Sequence, residues 1–135
     1  NMDAIAGAVA LEGFEELGAA LRDARTRDGL RGLARAYLEY AEEHPAVYEA
    51  MFVRRTDLVF GDAESPDALK DSFEELRAGV EPFASGDAET LTEVFWSALH
   101  GQATLNQGAR LRPSQRQTRA DLLVAVLTGP VRGNK

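Results

Sequence analysis

The chain has no cysteine among its 135 residues. A disulfide framework, a thiolate zinc site and a cysteine nucleophile are therefore excluded, and a reducing compartment such as the cytoplasm suits the chain. Basic residues are also scarce: 15 Lys and Arg stand against 22 Asp and Glu, a net charge of −7. Affinity for nucleic acid comes largely from neutralising phosphates, so an acidic domain with no basic run is a poor DNA binder by itself. No apolar run approaches the roughly 18 residues of a membrane span. No basic segment precedes the apolar start, as a signal peptide would require. Only His44 and His100 represent histidine, with no HxxxH or ExxH pair, so no metal or other cofactor is expected. No glycine-rich loop is placed to cradle a phosphate.

What is present is helical. Ala, Leu, Glu and Arg dominate, β-branched residues rarely cluster, and no alternating run ends in an Asn-Gly or Asp-Gly turn. The length predicts one domain over residues 1–135, ordered from about residue 3 to 128. Six helices are expected in an all-α orthogonal bundle. The first spans Asp3 to Ala24, with apolar Ile5, Val9, Phe14, Leu17 and Leu21 at helical spacing. A polar connection, Arg25-Thr26-Arg27, leads to Asp28 as N-cap of a second helix that ends at His44, before Pro45. The third runs from Ala46 to Phe52, with Pro45 at its first position. The stretch Arg54 to Glu64 reads as a mobile loop. Ser65-Pro66 opens a fourth helix through Ala84, its last turn kinked or ended by Pro82. Asp87 caps a fifth helix, Ala88 to Arg110, and Arg112-Pro113-Ser114 starts a sixth that runs to Thr128.

The last two helices are unusual. Ser97, Gly101, Thr104 and Gly108 recur at i, i+4, i+7 and i+11, a stripe of small residues along one face. Glycine inside a helix costs about 1 kcal/mol against alanine, so a stripe containing two implies close packing. In the sixth helix Leu122-Leu123-Val124-Ala125-Val126-Leu127 is apolar in every direction, yet six helices can hardly bury one of their own on all sides. A homodimer follows as the expectation, the last two helices of each copy forming a four-helix bundle. Its contacts would be Ser97, Gly101, Thr104, Leu105, Gly108, Arg119, Leu122, Leu123 and Val126.

Trp96-Ser-Ala-Leu-His100-Gly101 fits W-x-x-x-H-G, and here a resemblance enters. The signature resembles the C-terminal domains of a subgroup of TetR-family transcriptional regulators called the WHG type. AYLEYAEEHPAVYEAMF, Ala36 to Phe52, is similar to the same group, where a helix ends at His-Pro and a short helix ends in Met-Phe. AVALEGFEELGAAL, from Ala8, looks like the long helix joining the DNA-binding head to the body. The likeness runs from about Ala8 to Thr128. Gln102-Ala103-Thr104 is more polar than the pattern. Family members begin with a helix-turn-helix head of about fifty residues, and no such segment precedes Asp3. The resemblance therefore implies a ligand-sensing and dimerising body, reaching DNA only through a head outside this chain, in a repressor released by ligand.

It further implies a cavity among the first five helices for a small, largely apolar molecule. Phe14, Leu17, Tyr37, Tyr48, Phe52, Phe73, Leu76, Phe95, Trp96, Leu99 and His100 are its candidate lining. The same aromatics would equally make an ordinary core, which leaves a ligand-free helical dimerisation module as the alternative. Catalysis is not expected. Ser97 and His100 are an i, i+3 pair with no orienting acid or oxyanion hole in view. Glu15-Glu16, Glu42-Glu43 and Glu74-Glu75 read as solvated helix faces.

Overall fold

The computed structural model describes residues 2–53 and 65–129. Helix α1 spans Met2–Glu43, α2 Pro45–Phe52, α3 Asp67–Val80, α4 Ala88–Gln107 and α5 Arg116–Thr128. Two short 3₁₀ turns, Glu81–Phe83 and Pro113–Gln115, follow α3 and precede α5. The fold is all-α, with five α-helices among the described residues in place of the six expected. The discrepancy lies in α1, whose two expected helices run together. Arg25-Thr26-Arg27 is helical, and the break falls at Asp28 (φ −145°, ψ 22°) and Gly29 (φ 57°, ψ −139°). The expected loop at Arg54 to Glu64 lies outside the described residues.

The other boundaries follow local chemistry. Pro45 occupies the first position of α2, where its missing N–H is not needed. Helix α3 begins at Asp67 without a side-chain cap, and Ser65 is buried instead. It gives way to the 3₁₀ turn holding Pro82, because that ring cannot continue the α-helical ladder. Asp87 caps α4: its carboxylate accepts from the backbone N–H of Thr90 at 3.1 Å and from the Thr90 hydroxyl at 2.6 Å. These bonds lower its pKa from the usual carboxylate value. Helix α4 ends at Gln107, three residues short of the expected Arg110. There the Ala109 N–H reaches Asn106 O at 3.1 Å and the Arg110 N–H reaches Leu105 O at 2.9 Å. These paired bonds form a Schellman closure, with Ala109 rather than glycine at its left-handed position (φ 57°).

Helix α1 is the frame, packing on α2 and α3 most extensively and on α4 and α5 as well. Its break folds the second segment back on the first. A Cβ on Gly32 would run into the backbone carbonyl oxygen of Ala24. Leu17, Leu21 and Leu33 are fully buried, with Phe14, Tyr37, Tyr48, Phe95 and Leu99 around them. One buried charge joins α3 to this frame. Glu75, expected on a solvated face, is 8% exposed and accepts from Arg22 at 3.2 Å and Arg25 at 2.9 Å. The carboxylate is buried while its two arginines reach solvent, so losing both would leave an uncompensated buried charge.

Helix α5 shows two faces. Ala120 is buried, and Leu123, Val124 and Leu127 are half-buried against the core, while Leu122 and Val126 are 62% and 70% exposed. Leu123, expected at a dimer contact, thus packs inward. Arg119 is half-buried and donates to Asn106 Oδ1 on α4 at 3.0 Å.

The backbone terms are testable. Gly29→Ala forces a side chain into a positive-φ conformation, and Gly32→Ala meets backbone that cannot step aside. Each should destabilise by about 1–3 kcal/mol in urea unfolding. Ala109→Gly relieves the left-handed alanine and should stabilise by about 1 kcal/mol. A neutral result at all three positions would refute these backbone assignments.

Candidate ligand-binding site

Two helical stripes converge on one space. Phe14, Leu17 and Leu21 come from the first segment of α1, and Leu69, Phe73 and Leu76 from α3, each at i, i+3 or i+4, and i+7. Tyr37, Phe52 and Trp96 close it from the second segment of α1, from α2 and from α4. The cavity, open at its rim, has a volume of about 570 Å³, within the roughly 300–1,000 Å³ of small-molecule pockets. Phe52 is the hub of the aromatic wall. Its ring centroid lies 5.1 Å from Phe14, 6.1 Å from Tyr37 and 5.7 Å from Trp96. Phe73 meets Trp96 edge-on at 6.4 Å.

Of the expected lining, Phe14, Leu17, Tyr37, Phe52, Phe73, Leu76 and Trp96 come together here. Tyr48, Phe95, Leu99 and His100 do not. Phe95 and Leu99 are fully buried core residues, on the helix face adjoining that of Trp96. Tyr48 and His100 stand behind the wall. Leu21 and Leu69 were legible as members of stripes that sequence periodicity already defines. Ser72 carried no such signal; its buried hydroxyl lies 3.0 Å from both Phe14 O and Ala68 O. The rim, formed by Lys70, Glu74 and Arg77 of α3 and Glu89 and Glu93 of α4, is charged. Alternating charges on a helix read as solvent-facing, and nothing in the sequence says that a cavity opens between them.

A polar relay backs the wall. The Trp96 indole N–H donates to the Tyr37 hydroxyl at 3.0 Å. Tyr37 and Tyr48 hydroxyls are 2.7 Å apart, and Tyr48 lies 2.6 Å from His100 Nδ1. Indole can only donate, so the Tyr37 oxygen accepts. With Tyr37 donating to Tyr48 and Tyr48 to Nδ1, every contact is satisfied and the imidazole proton sits on Nε2. The reverse order leaves the Tyr37 hydrogen without a partner in the relay. Burial raises both phenol pKa values well above the usual 10, keeping them as neutral donors. Burial also lowers the His100 pKa from 6.5, favouring the neutral ring that this order needs.

The Ser97–His100 pair has no catalytic geometry. The Ser97 hydroxyl donates to Glu93 O at 2.7 Å, while His100 Nδ1 is taken by Tyr48. Among the described residues no group of acidic or histidine side chains could hold a metal ion, and no helix is long and apolar enough to cross a membrane.

Outside the wall, α4 turns its small residues outward. Ser97, Thr104 and Gly108 are exposed, and a Cβ on Gly101 would meet nothing within 4 Å. Leu105 and Val94 are 44% and 53% exposed beside them. Gln102, the polar residue after the motif's glycine, keeps Oε1 buried without a partner among the described residues.

The relay has a pH signature. Because the folded pKa of His100 lies below 6.5, the neutral ring's contribution is complete above that value. It is lost as pH falls below 6.5 through the folded pKa. His100→Gln cannot titrate, so its urea midpoint should fall less than the wild type's over this interval. Parallel curves would refute the assignment.

Among curated proteins none matches the chain. A solved structure, that of a protein with unknown function from Rhodococcus sp. RHA1, is similar with a TM-score of 0.76. The two are 23% identical, over 91% of this chain and 70% of that one, which shows a shared fold. Residues 30–127, well over half the chain, match the family described as "Tetracyclin repressor-like, C-terminal domain". The match spans α1's second segment, the relay, the part of the cavity wall that follows the break in α1, and most of α5, and the chain belongs to that family, which is regulatory rather than enzymatic.

Proposed function

We propose that this chain is the ligand-sensing, dimerising body of a TetR-like transcriptional regulator acting in the cytoplasm, most simply a repressor released by its ligand. The observation that carries this reading is the double use of α4. One face supplies Trp96 to the cavity wall, and another presents Ser97, Thr104 and Leu105 to solvent around a half-buried Gly101, as α5 presents Leu122 and Val126. A small, largely apolar molecule fills the aromatic cavity. A second copy covers the outward faces, burying the exposed leucine and valine side chains. The relay makes the two sites one mechanical unit, since it runs from α4 to α1 to α2 and back to α4. A ligand pressing on Trp96 and Phe52 changes the seat of α4 against α1. DNA contact belongs to a head outside this chain, whose spacing follows the first segment of α1.

Two measurements test this. Trp96 is the sole tryptophan, so its fluorescence reports cavity occupancy directly. Apolar aromatic compounds should shift its emission and raise the melting temperature, because a ligand that binds only the native state stabilises it. No response across a broad panel would refute ligand sensing and favour the ligand-free module. In sedimentation the chain should be a dimer, and Gly101→Leu with Val126→Asp should be a folded monomer. A wild-type monomer, or a variant that stays dimeric, would refute the α4–α5 interface.

A further inference from the structure

The cavity's two ends differ in kind, and the difference specifies a ligand. Its body is aromatic and aliphatic, while its rim carries charge from two helices. On α3 the cations are already engaged. Arg77 donates to Glu74 at 3.0 and 2.6 Å and lies 3.5 Å from Glu81, and Lys70 has an interaction of its own. On α4, Glu89 and Glu93 are exposed, and neither carboxylate has a hydrogen-bond or ion-pair partner among the described residues. Glu89, Glu93 and Trp96 fall at i, i+4 and i+7, one stripe running down the helix from the rim to the aromatic wall. Glu89 also complements the positive end of α4 in its first turn. Glu93, a turn further in, has no such role.

From this arrangement we infer that the ligand is an amphiphilic organic cation: an apolar or aromatic body with an ammonium-type head. The body occupies the space among Phe14, Phe52, Phe73 and Trp96, and the head rests at the rim between Glu93 and Glu89. The inference rests on the ligand-sensing reading and narrows it. Three terms favour a positive head over a neutral or negative one. The two open carboxylates attract it, Trp96 and Phe73 of the same lining offer aromatic rings to a cation as it leaves water, and the net charge of −7 draws cations toward the surface. A carboxylate head meets the reverse of the first and third terms.

A matched set of probes tests it: phenylbutylamine, phenylbutanol and phenylbutyrate share one apolar body and differ only in head charge. Binding is read from Trp96 fluorescence and, independently, from calorimetry. The amine should bind roughly tenfold more tightly than the alcohol, each exposed carboxylate contributing a few-fold, and the butyrate should bind weakest. Added salt should weaken the amine alone. Glu89→Gln with Glu93→Gln should remove the amine's advantage and leave the alcohol unchanged, and Glu93→Gln alone should remove part of it with α4's first turn intact. If the alcohol or the butyrate binds as tightly as the amine, the cation inference is overturned while the cavity reading stands. If all three fail to bind, the cavity reading falls and the inference with it.

Discussion

A helix of 42 residues laid out straight would be about 63 Å long, far longer than a domain of this size is wide. The break in α1 at Asp28-Gly29 resolves that mismatch, and the rest of the structure hangs on it. Gly29 takes a conformation that side chains avoid, and Gly32 lets the returning segment meet the carbonyl of Ala24. Because the helix returns, Phe14, Leu17 and Leu21 from before the break face the same space as Tyr37 from after it. The second segment also carries Tyr40, whose hydroxyl donates to Glu16 Oε1 of the first at 2.8 Å. One helix thus supplies two walls of the cavity, and the other helices need only close it.

Closure is done differently on each side. Against α3 the contact is ionic and hydrogen-bonded: Glu75 between Arg22 and Arg25, and Ser72 beside the Phe14 carbonyl. These bonds have fixed geometry, so α3 is held in register with the first segment of α1. Against α4 the contact is the relay of Trp96, Tyr37, Tyr48 and His100. Its members can reverse their donor order only by stranding a hydrogen or moving a proton. Phe52 adds an aromatic contact to each of Tyr37, Tyr48, Trp96 and His100, which makes α2 the wedge between the frame and α4.

Much of this was legible in the sequence, for identifiable reasons. Apolar periodicity revealed the stripes on α1 and α3. Proline and aspartate chemistry revealed the starts of α2 and α4. The spacing of Trp96, His100 and Gly101 revealed the family that the wider match establishes. What the sequence did not show is where tertiary contact overrides local pattern. Arg25-Thr26-Arg27 looks like a linker because its residues are polar, yet they continue the helix, with Arg25 turned onto a buried acid from another element. Glu75 looks solvated for the same reason, since its partners lie 50 and 53 residues away. The aromatics divide between wall and core by direction alone, which periodicity fixes only to within a residue. Phe95 and Trp96 are neighbours in sequence; one is sealed in the core and the other lines the cavity.

The same geometry decides what kind of signal such a body can carry. A ligand shifts an equilibrium only by the difference in its affinity for two arrangements, so a cavity whose walls never moved would bind tightly and report nothing. On the proposed reading, the wall that a ligand would touch is the half-buried side chain of Trp96, whose indole N–H donates to Tyr37 across the gap between α4 and α1. In the proposed sensor, a ligand that stretched this bond would unseat α4 and leave the Glu75 clamp on α3 intact. The first segment of α1 would stay fixed to α3, and α4 with its outward face would be the element that shifts. In a dimer built on that outward face, the shift of α4 relative to α1 is doubled by symmetry. On that proposal it would become a change in the separation of the two α1 N-termini, the quantity a pair of attached DNA-reading heads would sense.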